Sequence, residues 1–192
     1  MALEQHAPEK NSYDVVIIGG AIMGSSAAWV LSDNDDFNGS VLVVERDPSY
    51  ENSSTAHTNS CMRQQFSTEL NVRISQFAAD FVKNLRTYMG NDERVPELSI
   101  RSFGYMYLAD NADFAEVLKE SQQVQLGAGA ATQLMSPEQI KEAYPFYNVD
   151  DIVLGSINLV DEGFWDATAV FDWWRRSAGE RGVELSQMKL FQ

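Results

Sequence analysis

The chain has 192 residues, of which 28 are acidic and 14 basic, so its formal net charge is −14. This balance argues against nucleic-acid binding and against a polybasic membrane patch, since both need a basic face. With one cysteine, Cys61, and two histidines, the chain can form no internal disulfide, and no metal site is predicted. Because no targeting segment or membrane-length apolar stretch is visible, the sequence favours a cytoplasmic protein without a membrane span.

The first informative segment predicts a βαβ unit between Tyr13 and Glu45. Residues 14–18 form a β-branched run, typical of a fully buried strand. A glycine-rich turn follows, and residues 25–31 have the apolar positions of a helix. After a polar turn, residues 41–44 predict a second buried strand.

The turn between the first strand and the helix has the pattern of a dinucleotide-binding loop. Gly19 permits the tight turn, Gly24 lets the helix pack against the strand, and the helix start points its N–H groups at a pyrophosphate. Ala21 stands where G-x-G-x-x-G has its middle glycine, and a methyl is the smallest intrusion there. The predicted cofactor-binding residues of this turn are Gly19, Gly20, Ala21, Ile22, Met23 and Gly24.

An acidic residue ends the second strand of this unit. Glu45 stands where a carboxylate accepts hydrogen bonds from adenosine ribose hydroxyls and repels a 2′-phosphate. The residues alone therefore disfavour NADP and leave FAD or NAD. Arg46, directly after it, is assigned to the same cofactor site.

Residues 53–66 are dense in Ser, Thr and Asn, which predicts a polar loop that runs directly into a long helix. The combination of Ser53-Ser54-Thr55 with Arg63-Gln64-Gln65-Phe66-Ser67 resembles the D-amino-acid oxidase superfamily of FAD-dependent oxidoreductases. This superfamily includes sarcosine oxidase, glycine oxidase and dimethylglycine dehydrogenase. Within it, the FAD-dependent oxidoreductase domain-containing proteins are the most similar group.

The resemblance continues downstream and covers about residues 13 to 185. It is carried by the segments 102–108, 134–139 and 161–166. It implies an α/β fold in which a Rossmann-like FAD-binding βαβ unit receives an inserted α+β substrate domain, incomplete in this chain. The expected segments are an N-terminal tail (1–12), an FAD-binding segment (13–97), a partial substrate domain (98–165), and a helix and strand returning to the FAD domain (166–192).

The resemblance also implies roles for single residues of the polar loop. Ser54, Thr55 and Asn59 would donate to phosphate or flavin oxygens, although a loop that satisfies its own polar groups is equally consistent. Arg63 aligns with an arginine that binds the substrate carboxylate in sarcosine oxidase-like enzymes, where the open alternative is a structural ion pair. His57 lies near a histidine that bonds covalently to flavin in dimethylglycine dehydrogenase-like members, but a solvated loop histidine is the favoured interpretation.

The function implied by the resemblance is oxidation of an amino acid or secondary amine by hydride transfer to FAD. The alternatives are a non-catalytic or assembly-factor-type flavoprotein and an inactive fragment, since family members are about twice this length. We therefore expect an N-terminal portion of a longer protein. Its expected partners are a small-molecule substrate, an electron acceptor (oxygen or a protein) and a C-terminal half, with no nucleic acid.

Local signals predict the remaining elements. They are defined by apolar spacing, by the Ser-Pro-x-Gln capping box, and by the stops at Gly90, Pro145 and Gly182. They are a helix over 70–89 capped by Ser67, a strand over 100–108, a helix over 111–126, a short helix after Ser136, a helix from Asp166 to about Arg181, and a strand at 183–185.

Overall fold

A computed structural model describes residues 7–187. Its elements, in chain order, are β1 (Val15–Ile18), α1 (Ile22–Asp33), β2 (Val41–Glu45), β3 (Cys61–Met62), α2 (Glu69–Lys83), α3 (Leu85–Tyr88), β4 (Tyr105–Ala109), α4 (Ala112–Gly127), β5 (Gln133–Met135), α5 (Pro137–Ala143), β6 (Leu154–Asn158), β7 (Gly163–Phe164), α6 (Ala167–Glu180) and β8 (Glu184–Gln187).

The chain divides into two compact units. Unit 1 is the described part of Met1–Asn59 and Ala167–Gln192, and unit 2 is Ser60–Asp166. This division differs from the expected boundary between 97 and 98, because α2 and α3 pack within unit 2. There, Phe66 packs against a buried cluster of Val72, Ala128 and Ala130.

Unit 1 contains a three-stranded parallel sheet in the order β1-β2-β8. The predicted βαβ unit is present, and the strand expected at 183–185 is found as β8, pairing with β2. The expectation that β1 is fully buried is wrong for this structure. β1 is an edge strand, and its side chains alternate so that Val16 is 51% and Ile18 74% exposed, whereas residues Val41–Val44 of β2 are all buried.

The helices α1 and α6 pack against each other in unit 1. The α1 helix is longer than predicted, starting at Ile22 and ending at Asp33. Trp29 on α1 is 6% exposed, and its Nε1 donates to Ser177 Oγ on α6 at 3.2 Å. The exposed end of the pair carries the Arg181–Asp33 salt bridge at 2.7 Å. The α1 helix, which begins at the glycine-rich turn, is therefore held against α6 by the buried Trp29–Ser177 hydrogen bond and the Arg181–Asp33 salt bridge.

Unit 2 contains an antiparallel sheet in the order β4-β6-β5 and a two-stranded ladder of β3 with β7. The α4 helix is capped by Asn111, whose Oδ1 accepts from Phe114 N at 2.8 Å. The predicted capping box of α5 is confirmed: Ser136 Oγ accepts from Gln139 N, and Gln139 Oε1 accepts from Ser136 N.

Two predicted elements of unit 2 are shorter than expected. The helix expected over 70–89, with Ser67 as its cap, begins at Glu69 with Thr68 in the cap position. It is interrupted at Asn84, which separates α2 from α3. Asn84 Nδ2 donates to Asp80 Oδ1 at 2.8 Å and to Asp80 O at 3.1 Å, so a side chain competes there with the helical backbone. The strand expected from residue 100 starts at Tyr105, because Gly104 has a φ of +91°.

Over residues 7–187, no helix is long and apolar enough to cross a membrane. Within the same range, no group of three or more His, Cys, Asp and Glu side chains is arranged to hold a metal ion.

Candidate functional site

The glycine-rich turn of unit 1 is built by two glycines with different tasks. Gly19 has a φ of +94°, a conformation that side chains rarely adopt. At Gly24 the constraint is space, since a Cβ there would lie 1.8 Å from Gly19 O and 3.2 Å from Ile17 Cγ2. The backbone of α1 therefore touches the turn directly, as the pattern predicted.

The N-terminus of α1 lacks a negative partner from its own residues. The capping residue, Ala21, has no side-chain hydrogen bond to offer, and the first turn contains no acidic residue. The first amides of the helix and its positive dipole end are thus suited to an anion. These features fit the pyrophosphate of a dinucleotide.

Glu45 lies beside this turn and holds it in place. Its Oε2 accepts from Gly20 N at 2.7 Å, and its Oε1 accepts from Asp47 N at 2.8 Å. A carboxylate has about four lone-pair positions, so two backbone donors leave capacity for ribose hydroxyls. The sequence predicted only the ribose role; the structure adds a second role, as a bridge between the turn and the loop after β2.

Among the polar-loop residues assigned to the cofactor, Thr55 lies against the turn. Its Oγ1 accepts from Ile22 N at 3.2 Å, at the first residue of α1. Arg46, Ser54 and Asn59 have exposed side chains, and their cofactor roles stay predictions. His57 is also exposed, and its backbone N donates to Ser53 O in a turn.

Arg63 in unit 2 lies between aromatic side chains. The Arg63 guanidinium carbon lies 4.9 Å from the Phe66 ring centroid and 5.6 Å from that of Tyr105. Such contacts between a cation and aromatic rings are favourable and strengthen when water is excluded. Arg63 Nε is buried and has no hydrogen-bond partner among residues 7–187. The side chain is therefore held by its surroundings while part of its donor capacity stays unused.

A fully buried carboxylate, Glu162, accompanies Arg63. Glu162 Oε1 accepts from Gln64 N at 2.6 Å and from Asn158 Nδ2 at 3.0 Å, while Oε2 accepts from Gln65 Nε2 at 2.9 Å. Gln65 extends the network, because its Oε1 accepts from Ser156 Oγ and its Nε2 also donates to Tyr105 O. This network ties the segment after β3 to both β4 and β6.

Burial and hydrogen bonding act in opposite directions on Glu162. Burial raises the pKa of its carboxyl above the ordinary value, while hydrogen bonds from Gln65, Gln64 and Asn158 and the charge of Arg63 partly offset that rise. Burial also raises the pKa of the nearby Tyr107 phenol, against the lowering effect of Arg63. The positive charge of Arg63 therefore reaches both groups.

Sequence reasoning missed Glu162 as a member of this site. Glu162 lies within the segment 161–166 that carried the family resemblance. Acidic residues are rarely buried without a partner, so a prediction that Glu162 is buried would have indicated a role in a site. Its partners come from residues up to 98 positions away, so the pairing of strands had to be known first.

Comparison with a protein-family model matches residues 14–188 to the FAD dependent oxidoreductase family, DAO. Among curated proteins, FAD-dependent oxidoreductase domain-containing protein 1 of Xenopus laevis is 37% identical over 174 residues, covering 88% of this chain and 34% of the relative. Its Drosophila melanogaster homolog is 37% identical over 172 residues, covering 90% and 33%. The chain thus spans about a third of the length of the curated relatives it matches.

Solved structures share the fold. L-proline dehydrogenase from P. horikoshii is 26% identical with a TM-score of 0.70, over 94% of this chain and 45% of that one. Glycine oxidase from Bacillus cereus is 19% identical with a TM-score of 0.65, over 92% and 46%. The expected α/β fold with a Rossmann-like FAD-binding unit is confirmed, and the predicted cofactor, FAD, is that of the family. The chain belongs to the D-amino-acid oxidase family of FAD-dependent oxidoreductases.

Proposed function

We propose that the protein is an FAD-dependent oxidoreductase that acts on an amino acid or secondary amine whose carboxylate is bound by Arg63. The observation that carries this proposal is the placement of Arg63, which lies against the rings of Phe66 and Tyr105. Its Nε is buried and finds no partner in the part of the chain that the structure describes. A guanidinium binds a carboxylate through two parallel, charge-assisted hydrogen bonds, and this fixes the orientation of the substrate.

The cofactor-binding residues in this proposal belong to unit 1. The amides of the turn from Gly19 to Gly24 would hold the pyrophosphate, Glu45 would accept from the ribose, and Thr55 would donate its hydroxyl to a phosphate oxygen. Arg46, Ser54 and Asn59 are further candidate contacts. Bound FAD supplies the acceptor for the hydride that leaves the substrate.

The substrate class follows from the chemistry of Arg63 and from the neighbours. A fixed guanidinium selects an anion, and its planar fork matches a carboxylate. L-proline dehydrogenase and glycine oxidase are named for amino acids. Proline is a secondary amine and glycine a primary amine, and both amino acids carry a carboxylate. These names describe those proteins; for this chain they support a small amino acid as the substrate class.

Replacement of Arg63 by lysine tests this function. R63K keeps the charge but loses the planar fork, so we expect carboxylate substrates to lose about 1.5–3 kcal/mol of binding, which is on the order of tenfold or more in KM. R73K is the matched control, because Arg73 is an exposed residue of α2 paired with Glu69 at 2.7 Å. Turnover would be measured with a panel of amino acids and N-methyl amino acids, using a dye as electron acceptor.

Two results would contradict the proposal. Unchanged kinetics in R63K would remove Arg63 from substrate binding. A protein that holds FAD but oxidises no member of the panel would instead favour the non-catalytic flavoprotein or the inactive fragment.

A further inference from the structure

We propose that Glu162 is a positioning residue for Arg63: it fixes the backbone that carries the guanidinium and balances its charge. This inference rests on the proposed function for its consequence in substrate binding, although its structural part stands separately. It concerns unit 2 alone, and every contact that carries it lies there.

The strand register brings Arg63 and Glu162 to the same end of one antiparallel ladder. In the β3–β7 ladder, Cys61 pairs with Phe164 and Met62 with Gly163 in antiparallel fashion. Arg63 directly follows β3 and Glu162 directly precedes β7, so the two residues flank the last pair of this ladder, Met62 with Gly163. Residues at the same end of an antiparallel ladder are neighbours across it, and opposite charges on such neighbours are favourable. The pairing is therefore a product of the fold and not of sequence proximity.

The Glu162 carboxylate also binds the two residues that follow Arg63 in the chain. Glu162 Oε1 accepts from Gln64 N, and Oε2 accepts from Gln65 Nε2, so the two residues after Arg63 are bonded to one carboxylate. Glu162 is 0% exposed, and a charge so deeply buried persists only with donors and an opposite charge around it. Three donors are provided by hydrogen bonds, and Arg63 supplies the opposite charge.

The same arrangement explains how Arg63 keeps one orientation. An arginine side chain loses substantial rotamer freedom when it is fixed, and a binding group fixed in advance binds more tightly. The rings of Phe66 and Tyr105 confine the guanidinium, and Glu162 confines the backbone from which it extends. Loss of the Glu162 charge should release Arg63 even where the fold is retained.

The test compares E162Q with S156A. Glutamine has the shape of glutamate but carries no charge, whereas Ser156→Ala removes the donor to Gln65 Oε1 from the same network and leaves the Glu162 charge in place. The first readout is the dissociation constant of benzoate, used as a carboxylate probe and measured by calorimetry on the protein with FAD. We expect E162Q to weaken benzoate binding about tenfold and S156A to change it less than about twofold.

The second readout needs neither substrate nor cofactor. In protein labelled with ¹⁵N-arginine, the Arg63 Nε–H signal is assigned by its loss in R63K, and its exchange with water is measured. Because Arg63 Nε is buried, we expect slow exchange in the wild type and in S156A, and exchange about tenfold faster or more in E162Q. Equal exchange in E162Q and the wild type would overturn the inference.

The two readouts separate the inference from the proposed function. If R63K binds benzoate as the wild type does, the proposed function fails, and the exchange rate alone then decides the inference. If benzoate binding depends on Arg63 but is the same in E162Q, the inference fails and the proposed function stands.

A double variant covers the case in which E162Q does not fold. R63M/E162Q removes both charges of the pair. Recovery of folding in the double variant would show that the single variant was destabilised by an unbalanced Arg63, as the inference requires. Failure of both variants to fold would show that Glu162 serves its hydrogen-bond network independently of Arg63, and would overturn the inference.

Discussion

The substitution Gly24→Ala tests the cofactor-binding turn at its tightest point. An added Cβ would lie 1.8 Å from Gly19 O and 2.9 Å from Gly19 C, well inside normal contact distance. Both atoms belong to the backbone, so the N-terminal end of α1 must move away from the turn. Overpacking of this kind costs about 3 kcal/mol of unfolding free energy or more, which exceeds the gain of about 1 kcal/mol that alanine brings to a helix.

Gly179 provides a matched control within the same unit. It lies in α6, and an added Cβ would meet no atom of the described residues within 4 Å. G179A should therefore stabilise the protein by up to about 1 kcal/mol through helix propensity alone. Urea unfolding of the two variants should separate them by about 3–4 kcal/mol. A separation below about 1 kcal/mol would refute the close approach of α1 to the turn.

Two further variants test the carboxylates. E45Q should weaken FAD retention by about 1.5–3 kcal/mol, since its amide cannot accept from both Gly20 and Asp47 and loses the charge; equal FAD affinity in a fluorescence titration would contradict this. Burial raises the pKa of the Glu162 carboxyl above its ordinary 4.5, although the charge of Arg63 partly offsets the rise. The carboxyl therefore binds its proton more tightly in the folded state than in the unfolded chain. The free energy of unfolding of the wild type, relative to E162Q, should thus fall as pH rises from about 4.5 through the raised pKa, whereas a pH-independent difference in urea unfolding would contradict that reasoning.

Local signals were sufficient for the first half of unit 1. The β-branched strands, Gly19 and Gly24 act through neighbouring backbone, so their consequences can be derived from spacing. Exposure of β1 could not be derived in the same way, because it depends on which strands and layers lie beside it.

The surroundings of Arg63 were beyond local reasoning. Arginine at this position indicated an anion-binding group, but its aromatic neighbour Tyr105 lies on β4 and its charge partner Glu162 directly precedes β7, both far along the chain. Their placement follows from the register of β3 with β7 and of β4 with β6, which a single sequence does not specify.

Titration of the protein with FAD tests the central claim most directly, with binding followed by the visible absorption and fluorescence of the flavin. The account predicts saturable binding of one FAD per chain, retained in G179A, lost or strongly weakened in G24A, and not displaced by NAD. Binding of NAD without FAD, or FAD affinity in G24A equal to that of the wild type, would contradict the assignment of the turn at Gly19–Gly24 to the FAD pyrophosphate.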